Sequence, residues 1–172
     1  MNLASTDFEL FGVLPRFVLD RATLDARWKA LQSTAHPDRF AAEGAPAQRA
    51  AMQWAVRINE AYQRLKDPLK RAAYLCRLNG VPVDGGDQQA LPASFLMQQM
   101  QWREALEAAH GEAQVQALAE EVEAMRRNML DELAVLIDER ADWQAAARQV
   151  QALMFVLRFA DDIDRRLEAL GQ

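Results

Sequence analysis

The sequence predicts an all-α protein of two modules, an antiparallel helical hairpin with flanking helices followed by a three-helix bundle. Three observations carry this. Apolar residues recur at spacings of three and four along most of the 172 residues, the period of one helix face. Ala, Leu, Gln, Glu and Arg, all strong helix formers, dominate the composition. The 7 Gly and 6 Pro are confined to a few places, where they punctuate the periodic stretches.

A short apolar segment, Phe8 to Leu14, opens the chain and is ended by Gly12 and Pro15. A helix is expected from about Asp20 to Ala35. Asp20 is its N-cap, because a carboxylate accepts the unpaired N–H groups of a first turn. Leu24, Trp28, Leu31 and Ala35 share its apolar face. Pro37 stops it, since proline has no N–H and clashes with the preceding turn.

A loop is expected from His36 to about Pro46. A second helix follows with Ala51, Ala55, Ile58, Tyr62 and Leu65 on one face. Pro68 opens another, which continues through Tyr74 to about Leu78. Two matched apolar stripes joined by a short loop pair antiparallel.

Asn79-Gly80, Pro82 and Gly85-Gly86 make residues 79–92 the linker between modules 1–78 and 93–172. A helix from about Pro92 to Ala109 then ends near Gly111. The next carries Val115, Leu118, Val122, Met125, Met129, Leu133 and Leu136. The last starts after Asp142, its N-cap, and carries Trp143, Val150, Leu153, Leu157, Leu167 and Leu170. Three amphipathic helices with short turns form a bundle.

Composition narrows the function. Hydrophobic residues make up 51% of the chain, enough for a packed core and too many for a disordered one. With one cysteine, Cys76, no intrachain disulfide forms. That suits a reducing, cytoplasmic compartment. Met1 to Asp7 has no secretory pattern, and no apolar run reaches the roughly 20 residues of a membrane span, so no membrane partner is expected.

The net charge is −5, distributed unevenly. Residues 1–78 hold 12 Lys/Arg against 8 Asp/Glu; residues 79–172 hold 8 against 17. The asymmetry reads equally as two modules with different partners or as two solvated helical surfaces. A pI near 5.1 argues against nucleic acid. There is no Gly-rich phosphate loop. One Cys and two His in separate modules make no metal or cluster ligand set, so no cofactor is expected. His36 and Asp38 lack the third group that a hydrolase needs, so no enzyme is expected either.

The informative constellation is His36-Pro37-Asp38 in the loop between the paired helices. By itself the tripeptide is weak. The following helix supplies context with Ile58-Asn59-Glu60-Ala61-Tyr62, then Leu65, Asp67-Pro68, Lys70-Arg71 and Tyr74. This combination closely resembles the J domain, over residues 1 to about 78. Phe8-Glu9-Leu10-Phe11-Gly12, Arg71-Ala72-Ala73-Tyr74-Leu75 and Ala93-Ser94-Phe95-Leu96-Met97 resemble the HscB-type co-chaperones of iron–sulfur cluster assembly. That second resemblance covers essentially the whole chain. General J proteins usually continue into a Gly/Phe-rich segment, which is absent here.

The resemblance implies a mechanism without chemistry of the chain's own. The loop and the adjacent basic helix dock on a DnaK/HscA-type ATPase and stimulate hydrolysis. The C-terminal bundle delivers a client, the iron–sulfur scaffold protein (IscU type). The alternative is a general J protein in protein folding. A helical adaptor with no link to an ATPase is the reading from another class. A monomer is the expected state. The implied chaperone-binding residues are His36, Pro37, Asp38, Arg39, Arg27 and Lys29. Pro37 stiffens the loop, so docking orders less chain. Asp38 offers a carboxylate to a partner arginine. Neutral His36 offers one donor and one acceptor. Arg21, Arg27, Lys29 and Arg39 bring positive charge that speeds encounter with an acidic surface, though Arg27 and Lys29 read equally as a solvated face.

Two residues depart from the J pattern: Ala35 stands where Tyr is common, and Arg39 where Lys is usual. The implied client-binding residues are Leu96, Met97, Met100, Glu104 and Phe155. Phe95, Trp102 and Leu106 form the core face of the same helix, and Leu96 and Met100 a separate stripe about 100° around the axis. Apolar residues at helical spacing are more often core; the resemblance turns these toward an interface. Gln101 and Ala108 stand where the family commonly has Glu, which thins the acidic part of that surface.

Overall fold

The computed structural model describes residues 2–83 and 91–172. The Gly85-Gly86 part of the expected linker lies outside the described residues. The described chain is helical, with no strand among these residues. It divides into two compact units, Met1–Leu75 and Cys76–Gln172.

The first unit begins with α1 (Asp7–Phe11), where the sequence reading had only an apolar segment. A capping box starts it: Glu9 N–H donates to Thr6 Oγ1, and Thr6 N–H to the Glu9 carboxylate. Gly12 ends it in the left-handed region (φ 63°), where a side chain would cost about 1–2 kcal/mol. Phe8, Leu10 and Phe11 are buried. Five residues are too few for a stable isolated helix, so burial holds this turn in place.

α2 (Arg21–Ala35) starts where expected, with Asp20 accepting from Ala22 N–H. α3 (Ala45–Lys66) begins earlier than its apolar stripe does. Pro46 is tolerated in the first turn, where its missing N–H has no intrahelical partner. α2 and α3 are antiparallel, for contacts advance along one as they recede along the other. Tyr62 O–H donates to Asp25 at 2.7 Å. Trp28 stacks on Tyr62 at 4.5 Å between centroids. Trp28 Nε1–H donates to Asn59 at 3.1 Å, and Gln32 donates to the same oxygen.

α4 (Pro68–Leu78) runs through the division between units. Asp67 caps it by accepting from Leu69 and Lys70 N–H. Arg71 is buried, with its guanidinium donating to the carbonyls of Phe17 and Leu65. A buried guanidinium is tolerated when such acceptors satisfy it. The Asn79-Gly80 turn follows, Gly80 adopting φ 80°.

The second unit holds α5 (Ala93–Ala108), α6 (Glu112–Ala134) and α7 (Trp143–Leu170). α6 ends in a wider turn of π type at Val135–Glu139, which the periodicity did not reveal. Asp142 caps α7 through Ala145 N–H, as expected. The seam of α7 differs from the expected one. Ala146, Val150, Leu153, Val156, Phe159 and Ile163 are buried, whereas Leu170 is 41% exposed. A search for large aliphatics passes over alanine and phenylalanine, yet small residues let helices approach closely and rings fill the space beside them. Trp102 stacks on Phe159 at 5.6 Å. Cys76 is fully buried, which pushes its thiol up to about 11 and makes it a small core residue rather than a nucleophile.

Candidate functional site

The loop of the first unit is not irregular. Pro37–Glu43 forms a 3-10 helix, against the loop expected to Pro46. His36 is its N-cap: Asp38 N–H donates to His36 Nδ1 at 3.2 Å. Arg39 N–H donates to the His36 carbonyl at 3.0 Å. Arg39 Nη1–H reaches back to the Ser33 carbonyl at 3.0 Å, satisfying an open carbonyl in the last turn of α2. These bonds order the loop, and the His36 and Asp38 side chains remain 55% and 92% exposed. The turn therefore presents an imidazole and a carboxylate to solvent on a fixed backbone.

The basic residues separate into two kinds. Arg27 Nη1 donates to the carbonyls of Phe11 and Gly12, at 2.8 and 2.6 Å, and so closes the C-terminus of α1 onto α2. With Arg39 bound to Ser33, both arginines have donors committed inside the unit. Lys29 is exposed on α2. Arg21 pairs with Asp25 at 2.8 Å. Ala35, the departure from the J pattern, lines an apolar pocket of about 380 Å³ with Leu31, Phe40, Ala51 and Ile58.

Sequence reasoning missed the group that ties α1 to the hairpin. Asp7 is fully buried. Its Oδ2 accepts from Arg64 at 2.6 Å, and Arg57 lies 2.8 Å from Oδ1 as an ion pair without hydrogen-bond alignment. Asp7 N–H donates to Tyr74 Oη. Arg57 also donates to the carbonyls of Leu3 and Ser5. The available signal was the seven-residue spacing of Arg57 and Arg64, two turns on one face of α3.

In the second unit, Leu96, Met97 and Met100 are 41%, 61% and 62% exposed, while Trp102 is buried. Phe95, with Leu91, Met125, Met129 and Ala152, lines a cleft of about 680 Å³ on the bundle side. The two stripes of α5 thus face different ways. Phe95 shares that cleft with Ala145 and Ala152, and Trp102 meets Phe159, so α5 and α7 run parallel. Phe155 lies between those levels, at the height of Leu96 to Met100. It is half-buried, with the Arg158 guanidinium 5.5 Å over its ring. Glu104 is exposed one turn beyond Met100. No described helix is long and apolar enough to cross a membrane.

A helical hairpin whose ordered turn exposes His-Pro-Asp, in one chain with a three-helix bundle, defines the class of J-type co-chaperones. A family model described as the HSCB C-terminal oligomerisation domain matches residues 91–164. The chain is 48% identical to the "Co-chaperone protein HscB homolog" of Burkholderia thailandensis, over 99% of this chain and 98% of that protein. Chaperone HscB from Vibrio cholerae superposes with a TM-score of 0.85 at 38% identity, covering 96% of this chain and 99% of that one. Human co-chaperone protein HscB shares the fold, with a TM-score of 0.90 at 24% identity, covering 96% of this chain and 84% of that one. The chain belongs to the HscB co-chaperone family.

Proposed function

We propose that the chain stimulates the ATPase of a DnaK/HscA-type (Hsp70) chaperone and delivers an iron–sulfur scaffold protein of IscU type to it, in the cytoplasm, during cluster assembly. The observation that carries the reading is the capped turn at His36-Pro37-Asp38, with Asp38 almost wholly exposed, in a member of the HscB family. An exposed carboxylate on a rigid turn suits a charge-assisted hydrogen bond to a partner arginine. His36, Pro37 and Asp38 are the contact residues on this account. Lys29 supplies long-range attraction, and Arg27 and Arg39 chiefly hold the surface in shape.

Leu96, Met97, Met100 and Phe155 form the client surface, with Glu104 at its edge. Three exposed apolar side chains on one short helix suit a contact surface, and methionine adapts to varied shapes. The chain performs no bond chemistry itself. One copy at a time suffices, so the monomer is the working state. A light-scattering mass near double 19.4 kDa would replace it with the oligomer that the family description names.

Single-turnover ATP hydrolysis by the cognate chaperone tests the reading. The chain should raise the rate alone, and raise it further with the scaffold present. Stimulation without any scaffold effect would favour the general J protein. Failure to stimulate would leave a helical adaptor.

A further inference from the structure

His36 has two ring nitrogens, and the structure engages only one of them. Nδ1 accepts the Asp38 N–H at 3.2 Å. A ring nitrogen that accepts carries no proton, so the neutral imidazole holds its proton on Nε2. The ring is half-exposed, and among the described residues no hydrogen bond involves Nε2. We propose that His36 engages the ATPase as a hydrogen-bond donor through Nε2–H, opposite a carbonyl or carboxylate acceptor, while Nδ1 is spent holding Asp38. This rests on the proposed function and deepens it, because it fixes the chemistry of the partner's site. That site must offer an acceptor to His36 and a cation to Asp38, side by side.

The bonding around the ring makes the two roles interdependent. An imidazolium cannot accept, so its Nδ1–H would leave the Asp38 backbone N–H and turn to the Asp38 carboxylate, 3.6 Å away. That would occupy the carboxylate kept for the partner. With Nδ1 accepting, the ring instead holds the backbone of Asp38 and leaves its oxygens open. Arg39 supports this arrangement, through its N–H to the His36 carbonyl and its guanidinium to Ser33.

The test uses the full chain with His110→Gln, so that position 36 carries the only imidazole. Long-range nitrogen–proton NMR reads the tautomer, and the expected result is the proton on Nε2. Position 36 is then replaced by 4-thiazolylalanine. This analogue keeps an acceptor nitrogen at the Nδ1 position and puts sulfur, without a proton, at Nε2. The Asp38 amide resonance should stay in place while ATPase stimulation falls at least tenfold. Retained stimulation with the analogue, or a proton on Nδ1, would overturn this inference alone. No stimulation by the parent His110→Gln chain would overturn the proposed function and this inference with it.

Discussion

Asp7 holds its charge fully buried, 2.6 Å from Arg64 and 2.8 Å from Arg57. Removing one partner of a buried pair leaves the others uncompensated, at a cost of about 3–5 kcal/mol. Asp7→Ala should destabilise the first unit by roughly 3 kcal/mol, read as a lower midpoint in urea; an unchanged midpoint would contradict the buried-pair account. Asp25 is a contrasting case at the surface. Its carboxyl lies below the ordinary 3.8, first because Tyr62 O–H donates to it and second because Arg21 does. A lowered carboxyl stabilises the fold above its unfolded value and loses that contribution as pH falls through the folded one. Tyr62→Phe should therefore flatten the acid limb of stability below pH ~4, without altering the slope near neutrality. Thermal melts across that range check it. Asp25 was legible only as one more polar residue on α2; its partner Tyr62 lies on α3, and such a contact has no local signature.

Element by element, legibility follows length and local chemistry. α2, α6 and α7 were readable because several apolar turns and an aspartate or glycine boundary agreed with one another. α1 was not, since a five-residue turn is fixed by burial of Phe8 and Phe11 and by Arg27 closing its carbonyls. The 3-10 helix at Pro37–Glu43 escaped for a similar reason: its cap is an imidazole nitrogen, outside the usual Ser, Thr, Asp and Asn set. On α5 the two stripes were separable in sequence, but only accessibility distinguishes a core stripe from a surface one. The exposure of Leu96, Met97 and Met100 predicts a specific outcome. Leu96→Ala with Phe155→Ala should weaken scaffold binding at least tenfold by calorimetry, and leave the melting temperature within a few degrees. ATPase stimulation without scaffold should survive. A collapse in stability would make these residues core instead.

For the whole molecule, the order of modules and the His-Pro-Asp motif were readable because sequence-local patterns specify them. The long-range ties were not: Arg27 to α1, Arg57 and Arg64 to Asp7, and Arg71 to Phe17 all join residues distant in sequence. The positive balance of residues 1–78 gives the co-chaperone account a consequence at this scale, faster association with an acidic chaperone surface at low salt. The central claim is that the capped loop drives a chaperone's ATP hydrolysis. Its most direct test is single-turnover ATPase with the wild-type chain beside His36→Gln, which has no ring nitrogen to cap Asp38. The account predicts stimulation by the wild type and its loss in the variant, with the variant's fold and scaffold affinity unchanged. Equal stimulation by both chains would contradict it.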